Sequence, residues 1–163
     1  MKYIVLDIET TGLDPITKKI TCICAKTDKN DGFKFASKDE KEILSKFANW
    51  LSGKKGTLLT KNGLMFDIPF IIVRSAINKM DKLNCLLDFE QEDIQTYTQG
   101  RVKLDDMALL LGTTNKIGDG CNAIKLFDQG YLDLLEEYCY QDVKVTEDAY
   151  LKMIELGIIE VIA

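Results

Sequence analysis

Three strand patterns follow one another in the first 36 residues, and a helix and a fourth strand come next. That order dictates a mixed sheet. Lys2 to Glu9 is an apolar, β-branched strand that leaves through the turn Thr10-Thr11-Gly12-Leu13-Asp14-Pro15. Lys19 to Lys26 and Gly32 to Ala36 are the second and third strands, joined by the turn-forming Lys29-Asn30-Asp31-Gly32. Short turns make these three an antiparallel meander. A helix over Ser37 to Leu51 has Ser37 as its cap, with Glu40 three residues later, and apolar Ile43, Leu44, Phe47, Trp50 and Leu51 at helical spacing. Thr57 to Thr60, reached after that helix, is a strand parallel to the first.

A further helix is expected from Ile68 to Met80, with Pro69 in its first turn, and a fifth strand from Cys85 to Phe89. Helical pieces follow around Thr96 and from Leu104 to Leu111, with Asp105 and Asp106 as a first-turn acidic pair. Gly112 to Cys121 is glycine-rich and expected to be a surface loop. The result is an α/β chain of 163 residues, read as one domain, with a mixed five-stranded sheet flanked by helices.

The last helix, about Gly130 to Leu156, carries an inward stripe of Tyr131, Leu134, Leu135, Tyr138, Asp142, Val145, Thr146, Ala149 and Tyr150. Asp142 is the anomaly in that stripe. An isolated carboxylate is expensive to bury, so a cation or metal partner is implied. Asp7 and Glu9, two apart on the first strand, project side by side on the face that carries Tyr3 and Val5. Their repulsion calls for a divalent ion with a preference for oxygen ligands.

With no histidine in the chain, any chemistry rests on carboxylates, hydroxyls, lysines or metal-bound water. The net charge of −5 argues against holding nucleic acid by bulk electrostatics and leaves local contact through bound cations open. Cys22, Cys24, Cys85, Cys121 and Cys139 lack Cys-x-x-Cys spacing and are read as buried free thiols in a reducing compartment, ahead of zinc ligands, whose usual histidine partner is absent. Cys22 and Cys24 share one strand face. No apolar run reaches the roughly 18 residues of a membrane span. The first strand begins too near Met1 for a secretory signal, so a cytoplasmic location is expected.

Asp7-Ile8-Glu9-Thr10-Thr11-Gly12, Asn62-Gly63-Leu64-Met65-Phe66-Asp67 and Tyr138-Cys139-Tyr140-Gln141-Asp142 together resemble the three motifs of the DEDD exonuclease superfamily. The third has the Tyr-x-x-x-Asp form of the tyrosine branch, as in the proofreading domains of family B DNA polymerases. What the resemblance implies is a ribonuclease H-like fold and a 3′–5′ exonuclease that releases nucleoside 5′-monophosphates. It further implies two Mg²⁺ or Mn²⁺ ions, roughly 3.5–4 Å apart, held by Asp7, Glu9, Asp67 and Asp142. Tyr138 would orient the attacking water.

By the same resemblance Thr10, Thr11, Gly12, Asn62, Gly63 and Phe66 would hold the terminal nucleotide of a single strand, DNA ahead of RNA. A replication or repair partner, or a second copy, is left open. Read alone, Asp67 is equally a helix cap, Phe66 and Tyr138 are core aromatics, and Asp88 caps the next helix. Lys54, Lys55, Arg101, Lys103 and Lys116 are candidate phosphate contacts. A silent nucleic-acid-binding subunit and an endonuclease of ribonuclease H or resolvase type are the alternative functions.

Overall fold

The computed structural model describes residues 2–80, 82–98, 102–113 and 120–160, with Gly120 and Cys121 described by backbone alone. Its sheet has the order β3-β2-β1-β4-β5, where β1 is Tyr3–Thr10, β2 Ile20–Thr27, β3 Gly32–Ala36, β4 Thr57–Thr60 and β5 Glu90–Asp93. The first three pair antiparallel; β4 lies parallel to β1 and β5 parallel to β4. Helices α1 (Glu40–Leu51) and α2 (Asp67–Ile77) precede α3 (Leu104–Leu111), α4 (Gly120–Gln129) and α5 (Leu132–Glu155).

Alternation along β1 sorts its side chains between two cores. Ile4, Leu6 and Ile8 face α1 and α2 in one cluster, while Val5 faces α3, α4 and α5 in the other. Asp7 and Glu9 therefore point to the α5 side.

The expected fifth strand at Cys85 to Phe89 is wrong. Lys82–Asp88 is a 3₁₀ helix, and β5 begins at Glu90. Leu83 and Leu86, three apart, lie on one face of a three-residue turn and are both fully buried, whereas the strand itself is the polar Glu90-Gln91-Glu92-Asp93 at the sheet edge. Asp88 ends that 3₁₀ helix and caps nothing after it; Asp93 is the cap of the next 3₁₀ turn, Ile94–Tyr97.

Ser37 is not the cap of α1. Asp39 is, accepting from the Lys41 amide, and Glu40 is drawn into the core instead of closing a capping box. Gly120 and Cys121 belong to α4 and not to the surface loop that the glycines of Gly112 to Cys121 predict, and residues 114–119 of that stretch lie outside the described ones. In α5 the inward stripe starts at Leu135, since Tyr131 and Leu134 are more than half exposed, and Tyr131 stands outside the helix as its first flanking residue. Among the described residues no helix is long and apolar enough to cross a membrane.

Two anchors fix α5 over the sheet. Near its start the Glu136 carboxylate accepts from the Ala36 amide of β3 at 2.8 Å. Farther on, Glu147 pairs with the buried Lys26 of β2 and accepts from the Tyr3 hydroxyl of β1 at 2.9 Å. Burial and the Glu147 charge push the Tyr3 phenol up, so it stays a donor. Asp142 lies between these two ties, and its rotation and height above β1 follow from them.

Candidate active site

Asp7, Glu9 and Asp142 each offer a carboxylate oxygen within 4.8 Å of the others. Residues 135 positions apart thus share one small volume, because the α5 face of β1 lies directly beneath the buried stripe of α5. Asp142 is 4 % exposed, while Asp7 and Glu9 are half-buried. Three anions so close raise one another's cost of ionisation, and an all-oxygen donor set of this kind suits a hard divalent cation.

Asp67 arrives by a different route. It is the first residue of α2 and does not cap it; its Oδ1 accepts from the backbone amide of Ile8 at 3.0 Å. That amide lies between Asp7 and Glu9, past the point where β4 stops pairing with β1 at Val5. Asp67 supplies the acceptor that β4 no longer provides. Burial, partly offset by this hydrogen bond and reinforced by the charges of Asp93 and Asp142, pushes its carboxyl up to about 7.

A raised carboxyl has a defined effect on stability. Between the ordinary value near 4 and about 7, the folded chain holds a proton that the unfolded chain has released, so stability falls as pH rises through this window. In chelator, the melting temperature should drop between about pH 4 and about pH 7, and Asp67→Asn should flatten that slope. An unchanged slope in the variant would assign the effect to other groups.

The loop that delivers Asp67 is built tightly. Asn62 adopts φ 65°, and its amide and that of Leu64 donate to the two oxygens of Asp93, at 2.6 and 3.1 Å. Asp93, 3 % exposed, was missed in the sequence because an acid in a polar strand looks solvated. Gly63 presses on β4: a Cβ there would sit 2.4 Å from the Thr60 Cβ. Gly63→Ala should destabilise by about 1–3 kcal/mol and displace Asp67, measured by urea unfolding and by the Mn²⁺ dependence of the melting temperature.

The other expected contacts divide. Thr10 Oγ1 donates to Gly12 O at 2.7 Å, and Thr11 exchanges bonds with Lys19 across the turn, so both threonines close the β1–β2 connection. Phe66 packs on Phe70, ring centroids 5.3 Å apart, at the edge of the first core, whereas Leu64, Met65, Leu13 and Ile16 are exposed apolar side chains of these two loops. Tyr138, one turn before Asp142, is 9 % exposed and lines a cleft of about 560 Å³ together with Asn122, Lys125, Leu126 and Gln141. Lys54 is engaged with Asp31 and Trp50, and Lys103 flanks the start of α3. Arg101 and Lys116 lie outside the described residues.

Beneath Asp7 sits a second cluster. Cys22, Cys24 and Cys139 are fully buried, and burial pushes the Cys24 and Cys139 thiols well up.

A mixed sheet in this strand order, with acids at the end of its first strand and in its last helix, defines a nuclease-type fold. The ribonuclease H superfamily model matches residues 4–154, and the chain belongs to that superfamily. A search of curated protein sequences finds no match. Among solved structures, it is similar to the family B DNA polymerase of the hyperthermophilic archaeon Pyrobaculum calidifontis, with a TM-score of 0.81 at 16 % identity. That alignment covers 97 % of this chain and 25 % of the polymerase, so the chain spans about a quarter of that protein's length.

Proposed function

We propose that this chain is a metal-dependent 3′–5′ exonuclease of the tyrosine-type DEDD group, acting on single-stranded 3′ ends and releasing nucleoside 5′-monophosphates. The observation that carries the reading is the meeting of Asp7, Glu9 and Asp142 within 4.8 Å, with Asp67 bonded to the amide between the first two. DNA is placed ahead of RNA because the polymerase that shares the fold is a DNA polymerase.

Asp7, Glu9 and Asp142 would hold one Mg²⁺ or Mn²⁺ and Asp67, with Asp7, a second. When bound, such ions supply charge stabilisation at the scissile phosphate and acidify a water for attack. Tyr138, one turn before Asp142 on the same helix, would orient that water by hydrogen bond. Attack breaks the bond between phosphorus and the 3′ oxygen, which leaves as a hydroxyl after gaining a proton from solvent. The exposed Leu64 and Met65 and the backbone of Asn62 and Gly63 would meet the terminal nucleotide through stacking and sugar contacts, with little sequence preference.

The test uses 5′-labelled and 3′-labelled DNA and RNA strands, and a circular single strand, with Mg²⁺, Mn²⁺ or chelator. Progressive shortening of the 5′-labelled DNA with either ion, none in chelator and an intact circle are expected. Cutting of the circle would favour an endonuclease, and binding without shortening would favour a silent subunit.

A further inference from the structure

Cys22 and Cys24 share one face of β2, and α5 brings Cys139 down onto them. The Cys22 and Cys24 sulfurs are 3.7 Å apart, and all three lie within 4.8 Å of one another. Sulfurs so placed have a common point within roughly 2.8 Å of each, against a zinc–thiolate bond of about 2.3 Å. Tetrahedral bonds of that length set two sulfurs about 3.8 Å apart. Cys139 Sγ also stands 3.5 Å from Asp7 Oδ2, the separation of about 3.5 Å that a sulfur and a carboxylate oxygen take on one zinc ion.

Packing as small apolar side chains accounts for each cysteine singly, but it does not require sulfurs from two elements to meet at one point beside a carboxylate. Thiolates select thiophilic ions, whereas the oxygen cluster next to them selects hard ones. We propose that Cys22, Cys24 and Cys139 bind one thiophilic divalent ion of the zinc class, with Asp7 as the oxygen donor, and that its binding withdraws Asp7 from Glu9 and Asp142. The three thiol protons pass to solvent as the ion binds. The site thereby inhibits hydrolysis by competing for a shared carboxylate. This inhibitory role rests on the metal-dependent reading of the acid cluster; the thiol site itself does not.

Metal-free, reduced full chain is titrated with Cd²⁺ in the absence of nucleic acid. One equivalent should saturate a thiolate-to-cadmium charge-transfer absorption, and cadmium X-ray absorption should give three sulfurs and one oxygen. The signal should persist in Cys85→Ser and Cys121→Ser and lose one sulfur in Cys139→Ala. Fewer than three sulfurs in the unmodified chain overturns the site, and that measurement decides even where Cys139→Ala fails to fold. In a second arm, Mn²⁺ binding is followed by electron paramagnetic resonance with and without one equivalent of Cd²⁺. Cadmium should weaken it by about tenfold or more. Unchanged Mn²⁺ affinity beside a sulfur-bound cadmium overturns the coupling through Asp7. Absence of Mn²⁺ binding to either form overturns the inhibitory role together with the reading of the acid cluster, while three sulfurs on cadmium still establish the thiol site.

Discussion

Asp142→Ala should lower the proposed metal-dependent hydrolysis by at least about a thousandfold and leave the chain folded. The effect is electrostatic. Asp142 is 4 % exposed and within 4.8 Å of two other carboxylates, so in chelator the three charges repel one another and a bound divalent ion relieves that repulsion. Removing it should abolish the rise in melting temperature that Mn²⁺ produces in the parent chain. A residue kept only for packing would lower stability in both conditions and leave the Mn²⁺-induced rise intact. Circular dichroism melts with and without Mn²⁺, beside the strand-shortening assay, separate the two. Activity within about tenfold of the parent in a folded variant would overturn the assignment of Asp142.

Arg74→Ala should cost about 3–5 kcal/mol of stability. Its guanidinium meets Glu40 through two bonds, Nε to Oε1 at 2.9 Å and Nη2 to Oε2 at 2.7 Å, and both residues are 6 % exposed. Glu40 also accepts from the Ile20 amide at 2.7 Å and from Asn78 Nδ2 at 2.8 Å. Arg74 Nη1 donates to Pro15 O at 3.2 Å, in the loop that leaves the Asp7 and Glu9 strand. Truncating the arginine strands a buried carboxylate and frees that loop, so urea unfolding should shift and the turnover number should fall as well. Replacing both partners, Arg74→Met with Glu40→Leu, should recover only part of the stability, since it removes the stranded charge but leaves the Ile20 amide without its carboxylate acceptor. A loss under about 1 kcal/mol for Arg74→Ala would show that water screens the pair.

Local pattern exposed the meander, the parallel β4 and α5, because the periods of two and of three to four residues are written directly in the positions of apolar side chains. Asp142 was legible for the same reason: an acid in an inward stripe conflicts with the pattern around it. Glu40 was misread, since three residues after Ser37 it looks like a capping acid, and nothing nearby in the chain announces that Arg74 will reach it. The edge strand β5 escaped notice because Glu90-Gln91-Glu92-Asp93 has no apolar alternation; its place is set by pairing with β4.

Sequence alone determined which residues carry charge and which faces of β1 and α5 turn inward, since these depend on side-chain chemistry and backbone period. Only the tertiary structure decided that Asp67 would bond the Ile8 amide instead of capping α2, that Asp93 would hold the loop before it, and that Cys139 would meet Cys22 and Cys24 beneath Asp7. Those contacts join residues about 30 to 130 positions apart, and their distances depend on how helices seat on a sheet, which no local periodicity encodes.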